Sequence, residues 1–141
     1  RRFRDKTQLQ WGYIMDTLTF KTLTDDDRQH IPHAYPNRMM GMGAWIDDRL
    51  IGWGLLTRWR DVGEISDLWV DEAHRNRGIG TELIYHLAKM ANNRRIAMLE
   101  IGVDEDNLSA RRLYERLGFA FHRRIGEIVY LRCGVDAIVD S

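Results

Sequence analysis

Arg75-Asn76-Arg77-Gly78-Ile79-Gly80 lies between an apolar run, Ile65 to Val70, and an amphipathic run that opens at Ile79. Gly78 and Gly80 carry no Cβ, so backbone there accepts positive φ at little cost and lets a ligand come close. The first N–H groups of a following helix have no intrahelical partner, and with the helix dipole they form an anion cradle. Arg75 and Arg77 add charge-assisted donors. The stretch therefore reads as a strand-to-helix junction that holds phosphate, against the plainer alternative of a solvated turn with a glycine helix start. Its spacing matches neither G-x-G-x-x-G nor G-x-x-x-x-G-K-[ST], which excludes the dinucleotide-binding and P-loop readings.

Downstream of the junction the period is helical. Ile79, Leu83, Ile84, Leu87, Ala88 and Ala91 recur at three- and four-residue spacing and predict a helix to about Asn92. Ile96 to Val103 is apolar apart from Glu100, as in a strand covered on both faces. Asn107 or Ser109 caps a second helix with Ala110, Leu113, Tyr114 and Leu117 on one side, and Gly118 ends it. Phe119 to Arg124 and Glu127 to Arg132 predict a closing hairpin across Ile125-Gly126.

Upstream, Leu18, Phe20 and Leu23 mark a first strand. Thr24-Asp25-Asp26-Asp27 starts a short helix to about His30. Pro32, Pro36 and Asn37 break the chain into a loop or a second short helix through Met40. Gly43 to Ile46 and Leu50 to Trp59 predict a hairpin over Asp47-Asp48-Arg49, and a turn at Asp61 to Gly63 leads into a strand from Glu64 to Val70. The order ββ(β)–α–β–α–ββ belongs to an α/β domain with a mixed sheet.

The 141 residues suffice for one domain with its own core. Lys+Arg and Asp+Glu are both 21, so nucleic-acid binding through Arg1-Arg2-Phe3-Arg4, Arg94-Arg95 or Arg111-Arg112 is disfavoured. The single Cys133 cannot pair internally and points to a reducing, cytoplasmic setting. No membrane-spanning run or signal-peptide pattern is expected. Met15 is a candidate start, which makes residues 1–14 an extension or expression remnant, with an extra edge strand as the alternative; residues 1–17 are therefore set apart. His30, His33, His74, His86 and His122 show no metal spacing, and no metal site is expected.

Two motifs carry a resemblance. Arg75, Gly78 and Gly80 match [RQ]-x-x-G-x-[GA], and Asn107, Ala110, Leu113, Tyr114, Gly118 and Phe119 match N-x-x-A-x-x-L-Y-x-x-x-G-F. In this order, separated by a helix and a strand, they make the chain similar to the GNAT superfamily of N-acetyltransferases over roughly residues 18–132. The resemblance implies a mostly antiparallel sheet with helices on both faces, splayed at its fourth and fifth strands, as one acyltransferase domain over residues 18–141. It implies acetyl-CoA as cosubstrate and CoA as product. Backbone from Leu68 through Trp69 to Val70 would pair with the pantetheine arm, and the amides of Arg75, Asn76, Arg77, Gly78, Ile79, Gly80 and Thr81 would hold the pyrophosphate. Asn107 would bond the pantetheine, and Tyr114 would lie near the thioester sulfur.

The implied chemistry is direct attack of an amine on the thioester. An alkylammonium, with a pKa of about 10, must first lose a proton, and a carboxylate or a water held by one can take it. Glu64 is the first candidate base. Asp67 is the second, turned by strand alternation to the opposite face. A backbone N–H near Leu68 would serve the oxyanion, and the Tyr114 hydroxyl the departing thiolate. The bland readings are a core-facing Tyr114, a solvated Glu64, and a structural or substrate-side Asp67. Glu100 is either a buried, paired carboxylate or a surface one. Trp45, Trp53 and Trp59 belong to the core or line a cleft. A non-catalytic acyl-CoA-binding module is the alternative function. The acceptor is a small-molecule or peptide amine (a polyamine, an antibiotic or a protein N-terminus included), and a homodimer is left open.

Overall fold

Three two-residue turns set the sheet. In the computed structural model, which describes residues 17–32 and 39–140, the pairs Ile46↔Arg49, Trp59↔Val62 and Ile125↔Ile128 close over Asp47-Asp48, Arg60-Asp61 and Gly126-Glu127. The first residue of each turn is left-handed, with φ of 55°, 55° and 60°. Each turn thus differs slightly from the position read in the sequence. The left-handed residue that fixes the hairpin is Arg60 in one case, a type that gives no turn signal. The expectations for residues 1–16 and for the break at Pro36 and Asn37 lie outside the described residues.

The strands are β1 (Leu18–Thr22), β2 (Met39–Ile46), β3 (Arg49–Trp59), β4 (Val62–Val70), β5 (Met98–Asp104), β6 (Ala120–Ile125) and β7 (Ile128–Gly134). They form one sheet in the order β1-β2-β3-β4-β5-β7-β6, antiparallel everywhere except between β4 and β5. The helices are α1 (Asp25–Gln29), α2 (Ile79–Asn93), α3 (Leu108–Leu117) and α4 (Val135–Val139), with a 3₁₀ turn at Glu72–His74. Thr24 opens α1 with a capping box to Asp27, as its sequence predicts.

The periodic face of α2 buries Leu83, Ile84, Leu87 and Ala88 against Ile51, Leu56, Leu99 and Leu131, all fully enclosed. A Cβ on Gly54 would lie 2.6 Å from Leu87 Cδ1, so the absence of a side chain on β3 is what lets the helix close on the sheet. The terminal helix α4, not expected from the sequence, adds Val135 and Ile138 to the same core and contacts α2. On the other face a smaller cluster of Leu23, Ile31 and Leu55 gathers Met39, Trp45, Leu50 and Trp53. β5 is covered on its second face only at Glu100. Leu99, Ile101 and Val103 are buried, whereas Gly102 and Asp104 on the alternate face are exposed.

Candidate functional site

The parallel ladder between β4 and β5 consists of Val62↔Met98, Gly63↔Leu99, Glu64↔Glu100 and Ile65↔Ile101. β4 then runs on to Val70 without β5 beside it. At the parting point β4 carries a bulge, because Leu56 faces Ile65 and Leu55 faces Asp67, leaving Ser66 as the extra residue. Among the described strands, Leu68, Trp69 and Val70 therefore pair with β3 on one side and border a gap on the other.

Beyond Val70 the chain is fixed before it enters α2. Asp71 N–H donates to Ile51 O at 2.8 Å, and His74 N–H to Asp71 O at 2.8 Å. The His74 ring bonds the Asp71 carboxylate at 2.9 Å, with Arg49 at 3.9 Å, and this holds the Asp71 carboxyl below its usual range. Arg75 Nε donates to Val70 O at 2.8 Å, so part of the expected phosphate donor instead closes the turn. Asn76 and Gly78 are left-handed, with φ of 62° and 88°. The sequence points to Gly78; Asn76 shares that conformation because a short polar side chain tolerates it.

Gly80 is not left-handed, and its contribution is room. A Cβ there would meet only Val70 Cγ2, at 3.9 Å. The side chain of Ile79 is in the core, while the N-cap Gly78 supplies no side-chain bond to the first turn. The early amides of α2 thus have no intrahelical acceptor and border open space at Gly80. This donor set and this clearance fit a pyrophosphate.

The acids lie on the face opposite α2. Register partners share a face, so Glu64 stands with Thr57, Asp67 with Leu55, and Trp69 with Trp53. Thr57, Leu55 and Trp53 alternate along β3 and point the same way. Glu64 and Asp67 therefore share one face, contrary to simple alternation, because the bulge at Ser66 restores their phase. Trp53 Nε1 donates to Asp67 Oδ2 at 2.8 Å, and the Trp53 and Trp69 rings stack at 4.3 Å. Trp45 packs on the smaller cluster, and Trp59 is 62% exposed.

Glu100, in register with Glu64, is 3% exposed. It accepts from Arg132 Nε at 3.0 Å and has Arg123 within 3.5 Å. Of its two sequence readings, the buried, paired carboxylate is the one observed.

Tyr114 and Asn107 belong to α3, whose Ala110, Tyr114 and Leu117 pack on the α2 side of the sheet. Tyr114 meets Phe119 edge-on, centroids 6.1 Å apart, and burial pushes its phenol above the ordinary 10.0. It therefore keeps its proton at neutral pH. Asn107 Oδ1 accepts from Ala110 N–H at 3.2 Å and caps the helix. Its NH₂ group, a donor, is not used by that cap. Gly118 ends α3 at φ 110°. Among the described residues no three His, Cys, Asp or Glu side chains form a metal cluster, and no helix is long and apolar enough to cross a membrane.

Residues 7–119 match the model of the Acetyltransferase (GNAT) family. The chain belongs to the GNAT family. Streptothricin acetyltransferase of Escherichia coli is 30% identical over 69% of the chain, which spans 52% of that enzyme's length. The spermine/spermidine N(1)-acetyltransferase of Bacillus subtilis is 29% identical, covering 82% of this chain and 76% of its own. The solved E. coli ribosomal-protein-S18-alanine N-acetyltransferase superposes with a TM-score of 0.72 at 22% identity, over 84% of this chain and 94% of that one. A GNAT acetyltransferase from Elizabethkingia anophelis, solved with acetyl-CoA bound, gives 0.70 at 21% identity, over 84% and 99%. This GNAT chain thus has the fold of proteins that differ in acceptor.

Proposed function

We propose that this chain is an acetyl-CoA-dependent N-acetyltransferase. The observation that carries the reading is the parting of β4 from β5 after Ile65 and Ile101, with the Arg75–Gly80 junction at the end of the freed strand. A strand edge with unpaired backbone groups, ending on outward-facing helix amides, suits a long ligand with amides at one end and phosphates at the other. Pantetheine and pyrophosphate have that order.

Acetyl-CoA supplies the activated acyl group, and the residues of the chain divide the remaining tasks across the sheet. On the face opposite α2, Glu64 receives the proton of the acceptor amine through a water, with Asp67 held beside it by Trp53. On the α2 face, Tyr114 keeps its phenolic proton and gives it, or a hydrogen bond, to the leaving thiolate. Amine and thiolate thus use different sides of the gap, so the base and the acid do not neutralise one another. A backbone N–H near Leu68 serves the oxyanion. The buried Cys133, whose thiol burial pushes up, is consistent with a reducing cytoplasmic setting.

Release of free thiol from acetyl-CoA, measured across a panel of amines, tests the reading. Amine-dependent thiol release with an N-acetylated product is expected. A rise in Tm with CoA but no turnover on any amine would instead make the chain an acyl-CoA-binding module.

A further inference from the structure

β6 also carries a bulge. Phe121 faces Leu131 and Arg123 faces Tyr130, so His122 is the extra residue. Without it, alternation would turn Arg123 toward the α2 side of the sheet. With it, Arg123 shares a face with Tyr130, Arg132, Gly102 and Glu100, which is also the face of Glu64 and Asp67. Bulges commonly re-aim a side chain in this way.

The guanidinium so placed is held but not used up. It lies 4.6 Å from the Tyr130 ring centroid, and the Cε1 edge of that ring lies 3.0 Å from where a Cβ on Gly102 would be. Gly102, Tyr130 and Arg123 are thereby layered at the end of the sheet where β4 and β5 part. Two arginines, Arg132 at 3.0 Å and Arg123 at 3.5 Å, share the single charge of Glu100. Around Glu100 two guanidinium groups thus meet one carboxylate, while Glu64 and Asp67 stand apart on β4. Of the acids beyond Gly102, Glu105 pairs with Arg124 at 2.7 Å, and Asp104 accepts from Asp106 N–H at 2.9 Å while keeping its charge. The Arg123 side chain is 47% exposed, so its planar fork is presented to whatever lies on this face.

We propose that Arg123, braced by Tyr130, binds a carboxylate of the acceptor. Resting on the acetyltransferase reading, this makes the acceptor a primary amine with a carboxylate some distance away. Glu64 and Asp67 face the ammonium end, and Arg123 the acid end. Arg123 leaves β6, three strand spacings or about 14 Å from β4, and its guanidinium reaches back over Tyr130 of β7, a span that suits a short peptide better than a free α-amino acid. A polyamine, cationic at both ends, meets repulsion from Arg123.

The test compares trialanine, its C-terminal amide and spermidine as acceptors at saturating acetyl-CoA. In the wild type, trialanine should show a KM lower than its amide by about tenfold or more, the size of a charge-assisted contact. Arg123→Gln should erase that difference by raising KM for the free acid alone, with kcat and the acetyl-CoA KM kept. Arg123→Lys should recover part of it, as a point charge without the fork. Equal KM for acid and amide in the wild type, tighter use of spermidine, or an equal rise for both peptides in Arg123→Gln would overturn the proposal. If that variant does not fold by circular dichroism, the wild-type acid–amide comparison decides alone. If no peptide is acetylated although CoA raises Tm, the transfer reading fails separately, and calorimetric titration of the two peptides into the CoA complex decides: preference for the acid sustains the site, and its absence removes it.

Discussion

On the α2 side of the sheet, Leu83, Ile84, Leu87 and Ala88 come from one continuous helix and meet Ile51, Leu56, Leu99 and Leu131 with no solvent between them. On the opposite side, from β4 to β6, stand Glu64, Asp67, Glu100, Arg132 and Arg123, drawn from four strands and set in phase by extra residues at Ser66 and His122. The first face holds the fold through area removed from water, an effect without direction. The second is directional, since each charge there is placed by register. Damage to the first should therefore appear in stability, and damage to the second in turnover.

Tyr114 is the member of the first face expected to break that division. Tyr114→Phe should lower kcat by about 10²–10⁴-fold while acetyl-CoA affinity and Tm stay near wild type, because only the hydroxyl is lost. Wild-type turnover would return Tyr114 to the core. The raised phenol also fixes a sign. Native Tyr114 keeps its proton above pH 10.0, where the unfolded chain loses it, so its contribution to stability is complete below that pH and falls above it. A tyrosine-dependent loss of kcat should accordingly appear only above pH 10.0.

Leu87→Ala states the stability side of the division. It should cost about 2–5 kcal/mol in urea unfolding, with kcat per folded molecule unchanged; a loss under 1 kcal/mol would mean that β3 and α2 collapse onto the space. Glu64→Gln states the other side. We expect roughly a 10²-fold drop in kcat/KM at neutral pH, partly restored as rising pH supplies free amine, with Tm held. Asp67→Asn should do less, since the amide oxygen still accepts from Trp53. An equal loss at every pH would demote Glu64 to shaping the cleft, and a larger loss in Asp67→Asn would make Asp67 the base. The smallest effect is Asn107→Ala, at about 1 kcal/mol of stability for the lost cap, accompanied by a weaker acetyl-CoA KM if its NH₂ group meets the pantetheine.

What could be read in the sequence follows the same line. The α2 stripe, the Gly78 turn, the Asn107 cap and the Gly118 stop are each written within one turn of helix, and each lies where its residues place it. The sheet's polar face is not local. Alternation puts Asp67 opposite Glu64, and only the partner strand shows that Ser66 is an extra residue. Arg123 likewise looks like one of several surface arginines until its register against Tyr130 is known. Glu100 gives a visible signal, a charge in an apolar strand, but its two arginines lie more than twenty residues away. The helix α4 is too short for a periodic stripe: Val135 and Ile138 are its buried pair, one turn apart.

The short ladder between β4 and β5 also bears on how the molecule holds together. Four residue pairs join the β1–β4 half of the sheet to the β5–β7–β6 half, and α2 lies over β2, β3 and β4 and meets α4, which packs on β7. Such a seam is weaker than the long antiparallel ladders on either side, so opening should begin there. A ligand filling the gap would act as a stitch across it. The amides of Leu68 to Val70 should then be among those whose hydrogen exchange slows most when the cosubstrate binds.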